Sequence, residues 1–169
     1  MKHLFHALLL IALAAPAGAA QSFGAWLASV ATDGALFAAT INDSRDVLSQ
    51  SCDLNGEDCV WLLVIRSPCT EGASYTVLSN SDSGTAQLRL LCLSPNADGQ
   101  HRYAFEDFAA IDHIIKTDTR VGFALALQNG QFKAVRFDLT GSRLAIDHMR
   151  RQAAGPAIPP TKPAAVEFF

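Results

Sequence analysis

Four cysteines are the residues of this 169-residue chain whose type could support the widest range of chemistry: Cys52, Cys59, Cys69 and Cys92. Thiolates can bind zinc, take part in redox exchange or form structural disulfides. Zinc ribbons place paired ligands roughly two to four residues apart, and a redox site would contain Cys-x-x-Cys. Neither spacing occurs here, so the sequence predicts no metal site and, from the even number of cysteines, two disulfides.

The segment from Cys52 to Cys59 has the pattern of a β-hairpin. An Asn-Gly dipeptide lies at its centre and is typical of a two-residue turn, in whose register Cys52 faces Cys59. Opposed α-carbons lie roughly 4.5–5.5 Å apart, which a disulfide can span. Of the three possible pairings, the sequence therefore favours Cys52 with Cys59 and, by elimination, Cys69 with Cys92.

The same register places Asp53 opposite Asp58, an unfavourable pair of like charges. Either the loop is wider than two residues, or a cation lies between the two carboxylates. An EF-hand does not fit, because counting from Asp53 puts Gly56 at position four rather than six, and no Glu follows at position twelve. We predict no metal ligands and no cofactor, and the wider loop and the cation stay open as explanations.

Three histidines follow the N-terminal segment: His101, His113 and His148. The last two each follow an aspartate in the tripeptide IDH. Neighbouring side chains diverge by about 100° on a helix and point to opposite faces of a strand, so neither tripeptide forms a dyad by itself. The chain also lacks G-x-S-x-G, G-x-x-x-x-G-K-[ST] and G-x-G-x-x-G. We predict surface histidines, solvated acids, no catalytic residues and a protein that is not an enzyme.

Residues 1–20, MKHLFHALLLIALAAPAGAA, have the features of a cleaved secretory signal. Lys2 provides a short positive region, an apolar run follows, and small residues precede a cleavage point after Ala20. The apolar run is much shorter than the roughly 20 residues needed to span a bilayer. We predict a mature chain that begins at Gln21 and an exported bacterial protein, periplasmic or extracellular, in a compartment where disulfides persist.

Charge and length narrow the range of partners. The formal net charge is −3 and the positive residues are scattered, which argues against a nucleic-acid partner. No segment after the signal is long and apolar enough to predict a membrane span. We predict one disulfide-stapled β domain over residues 21–152, a monomer whose partner is an unknown protein.

Residues 153–169, AAGPAIPPTKPAAVEFF, form a proline-rich C-terminal segment. Four prolines between residues 156 and 163 are incompatible with a helix or a central strand, so we predict a mobile tail. Its apolar end contains Val166, Phe168 and Phe169. Two interpretations stay open: the end is a peptide captured by a partner, or it rests on the domain.

Short segments rich in Val, Leu, Phe and Tyr recur along the chain between glycine and polar turns. Alternation is clearest in QFKAVRFDL, where Val135, Phe137 and Leu139 share one face and Phe132 lies on the other. The Asn-Gly dipeptide that precedes this segment predicts a two-residue hairpin. We predict nine strands, in FGAWLASV, ALFAATIND, DVLSQSC, CVWLLVIR, SYTVLSN, AQLRLLCL, HRYAFEDF, RVGFALAL and QFKAVRFDL.

Two segments have helical periodicity. In EDFAAIDHIIKTDT, apolar side chains recur on one helical face, so we predict a short helix, with a strand as the alternative. LTGSRLAIDHMRRQAA is the clearest helix, with Thr140 or Ser142 as its N-cap and Arg150 and Arg151 at its C-terminal end. The apolar positions are Phe108, Ile111, Ile114 and Ile115 in the first segment, and Leu144, Ile146 and Met149 in the second.

Together these elements predict a mainly β fold, either an antiparallel β-sandwich or a small barrel, closed at one end by the C-terminal helix. The lack of alternating strands and helices argues against a parallel α/β fold. Aromatic side chains recur at strand spacing, and we expect them in the core rather than in a ligand platform. They are Trp26, Trp61, Phe105, Phe108, Phe123, Phe132 and Phe137.

Three segments resemble the exported bacterial proteins similar to invasion-associated locus B: FGAW, RVGFALALQNGQFKAVRFDL and FDLTGSRLAIDHM. The resemblance implies a periplasmic or envelope-associated β-sandwich without known enzymatic activity, linked to host-cell interaction. We therefore expect a non-enzymatic envelope protein that acts by protein binding or envelope support. The alternative is a periplasmic module that binds a ligand or inhibits a protease, and a hydrolase of an unrecognised type is a third hypothesis.

Overall fold

The computed structural model describes residues 20–31, 34–53, 58–96, 98–126 and 132–153. All but the last residue of the expected signal peptide, and all but the first of the expected tail, lie outside these ranges, so both stay predictions. The strands are β1 (Gln21–Phe23), β2 (Trp26–Val30), β3 (Leu36–Ile41), β4 (Val47–Cys52), β5 (Cys59–Ile65), β6 (Ser74–Ser81), β7 (Gly84–Leu93), β8 (His101–Phe105), β9 (Arg120–Ala126) and β10 (Phe132–Asp138), and the helices are α1 (Phe108–Thr117) and α2 (Ser142–Ala153).

All ten strands belong to one antiparallel sheet, in the order β1-β2-β3-β4-β5-β8-β7-β6-β9-β10. Strands β1 to β5 follow one another as a meander. Strand β8 then pairs with β5, and β7 and β6 follow in reverse order before β9 and β10 complete the sheet. The mainly β fold with a C-terminal helix is confirmed, and the sheet is open rather than closed into a barrel.

The sheet folds back so that its two ends approach each other. The Trp26 indole N–H donates to the Asp138 backbone carbonyl at 3.0 Å, and the Asn42 amide donates to the Arg136 carbonyl at 3.3 Å. Inward side chains of strands β2 to β10 meet in one buried hydrophobic cluster. The core therefore lies between the two halves of a single folded sheet, as in a sandwich.

A turn divides the first predicted strand into two. Gly24 has a φ of 61° and Phe23 pairs directly with Trp26, so the chain reverses through Gly24 and Ala25. A Cβ on Gly24 would lie 2.6 Å from the Thr140 carbonyl oxygen, too close for any side chain. This turn explains why ten strands form where we predicted nine.

Helix α1 forms where a helix was predicted and a strand was the alternative. Its N-cap is Asp107, whose carboxylate accepts the Ala110 backbone N–H at 3.1 Å. The predicted isoleucines at 111, 114 and 115 are buried, and Phe108 is partly buried against the core. Among the described residues, neither helix is long and apolar enough to cross a membrane.

Helix α2 confirms the prediction of a C-terminal helix but corrects two details. Ile146 and Met149 are buried as expected, whereas Leu144 is 63% exposed because Ala145, one position later, faces the core. The Ser142 hydroxyl donates to the Ile115 carbonyl at 2.5 Å, so it joins α2 to the end of α1 instead of capping α2.

The β9–β10 hairpin has a different register from the predicted one. Phe132 pairs with Ala126, whereas a two-residue Asn-Gly turn would place Leu127 opposite Phe132. The connecting residues lie outside the described ranges, but the register of the flanking strands shows that the two-residue prediction is wrong. The burial of Val135 and Phe137 sets this register, because a shift by one residue would move both side chains out of the core.

Candidate binding face

Four neighbouring strands, β7, β6, β9 and β10, form an open concave surface on the outside of the sheet, with a volume of about 1020 Å³. The strand register aligns the outward side chains in rows that cross the strands. The β6–β9–β10 face, as we name it, consists of the row Leu78, Ala124 and Ala134, the row Asn80, Gly122 and Arg136, and Phe132, which lies further along β10.

Large apolar side chains on this face are open to solvent. Leu78 is 55% exposed and Phe132 is 73% exposed. The neighbouring positions on β9 and β10 are small, Ala124 and Ala134, so the floor of the concavity lies close to the backbone. An exposed apolar surface beside a concavity is typical of a binding site. The expectation that Phe132 lies in the core is wrong, because the alternation of β10 directs Val135 inward and Phe132 outward.

Arginines border the face. Arg120 Nε lies 3.2 Å from the Asp82 carboxylate, whereas the Arg136 guanidinium makes no ion pair or hydrogen bond with the residues that the structure describes. The Arg136 side chain passes beside Gly122, with its Cγ 3.5 Å from the place that a glycine Cβ would occupy. An exposed guanidinium suits recognition of a carboxylate. The face therefore combines an apolar floor with an available cation.

Two aspartates hold the end of the face in place. Asp82, in the β6–β7 turn, accepts the Thr119 backbone N–H at 2.7 Å and the Thr119 hydroxyl at 2.5 Å. Asp118, before β9, accepts the Ser83 N–H at 3.2 Å and the Ser83 hydroxyl at 2.5 Å. The Thr119 hydrogen bonds lower the pKa of Asp82, and although burial alone would raise the pKa of Asp118, hydrogen bonds including those of Ser83 lower it. Both carboxylates are therefore ionised at neutral pH.

The four cysteines form the two disulfides expected from their spacing, away from the β6–β9–β10 face. Cys52 and Cys59 face each other across β4 and β5, with their α-carbons 4.0 Å apart. Cys69 and Cys92 have α-carbons 6.1 Å apart and join the β5–β6 connection to β7. The first bridge joins two adjacent strands and the second joins a connecting segment to a strand, so both constrain the fold.

The aspartates beside the first bridge interact through the backbone. The Asp53 N–H donates to the Asp58 carbonyl at 3.1 Å, and the Asp58 N–H donates to the Asp53 carboxylate at 3.4 Å. One carboxylate therefore accepts a backbone hydrogen bond, which offsets the expected like-charge repulsion. The turn at residues 54–57 lies outside the described ranges, and the other residues contain no group of three or more His, Cys, Asp or Glu that could hold a metal ion.

The structure separates the three histidines. His101 Nδ1 lies 3.9 Å from Cys69 Sγ, and His148 packs against an aromatic ring of β1 with the ring centroids 5.3 Å apart. His113 is exposed beside Asp112 in a second concavity of about 540 Å³ on the surface of α1 and α2. Within the described ranges, the His113 imidazole makes no hydrogen bond with a carboxylate. Neighbours in IDH thus diverge, as predicted for helical positions.

Asp112 is the centre of a polar network that the sequence interpretation missed. Its Oδ1 accepts hydrogen bonds from the Arg150 guanidinium at 2.6 Å and from the Trp61 indole at 3.2 Å. Arg150 Nε also donates to Gln50 Oε1 at 2.8 Å, and Lys116 Nζ lies 3.4 Å from the second Asp112 oxygen. These five residues, which we name the Asp112 network, are Gln50, Trp61, Asp112, Lys116 and Arg150. They connect both helices to β4 and β5.

Charge within the Asp112 network is compensated by its own members. Burial alone would raise the pKa of Asp112, but the nearby Arg150 and Lys116 cations hold it below its ordinary value. Arg150 also lies over the Phe108 ring, 5.7 Å from its centroid. The prediction of solvated acids is therefore wrong for Asp112. Arg150 therefore stabilises the fold through these contacts as well as through its position at the C-terminal end of α2.

The fold and the face define an open, disulfide-bridged antiparallel β-sheet protein with an exposed apolar concavity. No protein-family model matches the sequence, and no curated protein matches it. Among solved structures, the chain is similar to invasion-associated protein B from Bartonella henselae, with a TM-score of 0.56 and 14% sequence identity. The match covers 78% of this chain and 95% of that chain. At this identity the similarity shows a shared fold, the one that the three sequence segments implied.

Proposed function

We propose that the protein is an exported, non-enzymatic bacterial envelope protein that binds another protein through the β6–β9–β10 face. The observation that carries the proposal is the exposure of Leu78 (55%) in the lining of a concave surface, with Phe132 (73%) exposed further along the same face of β10. Removing such side chains from water is the main source of affinity in protein association. Export is supported by the N-terminal segment and the two disulfides.

The chemistry of the face indicates what kind of partner segment it accepts. The small side chains of Ala124 and Ala134 leave room for bulky apolar side chains of a partner, between Leu78 and Phe132. Arg136 at the border favours a partner with a carboxylate near its apolar residues. An extended segment that carries aromatic and acidic residues satisfies both conditions.

The proposal is tested by comparing two matched leucine variants, Leu78→Glu on the face and Leu144→Glu on α2. Both leucines are largely exposed, 55% and 63%, so neither change should disturb the core. We expect Leu78→Glu to reduce recovery of a bound envelope protein about tenfold, since burial of a leucine contributes about 1.5 kcal/mol or more. Affinity capture from the native envelope, quantified by mass spectrometry, measures this ratio.

The control variant decides how the result is interpreted. Leu144→Glu should recover the same protein at the level of the unmodified chain. Equal losses in both variants would mean that the captured protein binds elsewhere or non-specifically, and equal retention would show that the β6–β9–β10 face does not bind it.

A further inference from the structure

The β6–β9–β10 face and the last residues of the chain have complementary chemistry. The face offers a floor of small residues beside Leu78 and Phe132, which can accommodate large apolar side chains. The sequence ends in Val166, Glu167, Phe168 and Phe169, in which three large apolar side chains adjoin one carboxylate.

Charge complementarity favours the same occupant. Arg120 is already paired with Asp82, but the Arg136 guanidinium is unpaired within the described part of the chain. Glu167 carries the opposite charge and lies directly beside two phenylalanines. A segment that places Phe168 on the alanine floor would bring Glu167 within reach of the arginines that border it, where a carboxylate–guanidinium pair can form.

The connecting segment has a reach similar to the width of the domain. Twelve residues, 154–165, separate the end of α2 at Ala153 from Val166, and four of them are prolines. At about 3.1 Å per residue in a polyproline conformation they extend about 37 Å. A domain of this size has a radius of gyration of about 14 Å and hence a width of about 36 Å. Covalent attachment also keeps the segment at a local concentration of order millimolar, so weak contacts suffice for binding.

We propose that residues 166–169 bind intramolecularly to the β6–β9–β10 face and compete there with the partner protein. The competition rests on the proposed function, whereas the intramolecular contact does not require it. The aromatic side chains occupy the alanine floor beside Leu78, and Glu167 pairs with Arg136. The tail thereby lowers the fraction of the protein whose face is open to a partner.

Photo-crosslinking of the full chain tests the contact directly. Phe168 is replaced by p-benzoyl-phenylalanine, a photoreactive analogue of similar shape, and the protein is irradiated at low micromolar concentration. We expect a crosslink within one chain to residues of β6, β9 or β10, located by mass spectrometry. Leu78→Glu should lower its yield about tenfold, because it removes an apolar contact and repels Glu167, whereas Leu144→Glu should leave the yield unchanged.

Several outcomes would overturn the proposal. They are the absence of a crosslink, a crosslink to α2 or to β1–β5, an equal yield in Leu78→Glu, or crosslinks formed only between two chains, which would identify a second copy as the occupant. Partner capture by the double variant Phe168→Ser/Phe169→Ser tests the competition separately, with an expected severalfold increase in recovery. A crosslink on the face without partner capture would overturn only the proposed function, and capture that the double variant leaves unchanged would overturn only the competition.

Discussion

The Asp112 network and the β6–β9–β10 face contain similar kinds of residue in opposite states. In the network, arginine, aspartate and an aromatic ring contact one another, with Arg150 2.6 Å from Asp112 and Trp61 fully buried. On the face, Phe132 is exposed and Arg136 has no partner among the described residues. In the network, the charged groups are paired and stabilise the fold. On the face, the Arg136 charge is available to another molecule.

Apart from the truncation of core side chains, the largest expected effect lies at the junction that leads into α2. Gly141 has a φ of 89°, and a Cβ there would lie 1.9 Å from the Phe23 carbonyl oxygen. Gly141→Ala must therefore shift backbone, and we expect a loss of about 3 kcal/mol in the free energy of unfolding. Gly122→Ala on the face is the matched control, because its Cβ would make only ordinary contacts, the closest at 3.5 Å. Urea denaturation measures the loss in the free energy of unfolding for each variant. Similar losses in Gly141→Ala and Gly122→Ala would contradict the prediction.

The next largest effect concerns the network itself. Asp112→Ala leaves Arg150 partly buried without its carboxylate, and removal of one partner of a buried pair typically costs about 3–5 kcal/mol. The Asp112 and Arg150 side chains are 18% and 30% exposed, so we expect about 2–3 kcal/mol, measured by urea denaturation. Asp147→Ala, whose contacts to two cations are 3.9 Å long, should cost less than about 1 kcal/mol. A cost for Asp112→Ala as small as that of the control would show that the network does not hold the helices.

Acid should weaken the Asp112 network, because protonation of the Asp112 carboxylate removes its charge. The pKa of Asp112 is lower in the folded protein than in the unfolded chain, so its contribution to stability is complete above the unfolded value of about 3.9 and decreases as the pH falls through the folded value. We expect the free energy of unfolding to decrease as the pH falls below about 4, with a smaller slope in Asp112→Asn. Leu78→Glu is the control on the face and should keep the contribution of Asp112 to stability. An unchanged slope in Asp112→Asn would show that protonation of Asp112 does not cause the loss of stability in acid.

The smallest effect on stability is expected for Phe132. Phe132→Ser removes a side chain that is 73% exposed, so the free energy of unfolding should change by less than about 1 kcal/mol. Phe137→Ser, its counterpart on the inner face of β10, should cost about 3–5 kcal/mol, because Phe137 is 3% exposed. Thermal denaturation of the two variants compares them, and a large loss in Phe132→Ser would mean that this residue belongs to the core.

Alternation and helical periodicity were sufficient to predict much of the fold. The alternation of β10, the buried isoleucines of α1 and the pairing of Cys52 with Cys59 all depend on neighbours in the chain, and local spacing determines them. The turn at Gly24 was missed because its contact lies more than a hundred residues away in the sequence: the Thr140 carbonyl packs against Gly24 and accepts the Ala25 N–H.

Side-chain function was less predictable. Asp112 follows Ile111 and Arg150 follows Met149, so each charged residue lies next to a buried helical position. That pattern hinted at partial burial, but only the packing of α1 against α2 brings the two charges together. Phe132 was wrongly expected in the core, although the alternation of β10 places it on the face opposite Val135 and Phe137.

The sequence by itself determined the strand-rich class, the two helices and the two disulfides, because each depends on residue type and short-range spacing. Only the tertiary structure decided that Leu78, Ala124 and Ala134 form one row and that Asp112 meets Arg150. Such contacts depend on strand order and on helix packing, to which residues far apart in the chain contribute jointly. The proposed binding face is therefore a property of the folded sheet rather than of any single segment.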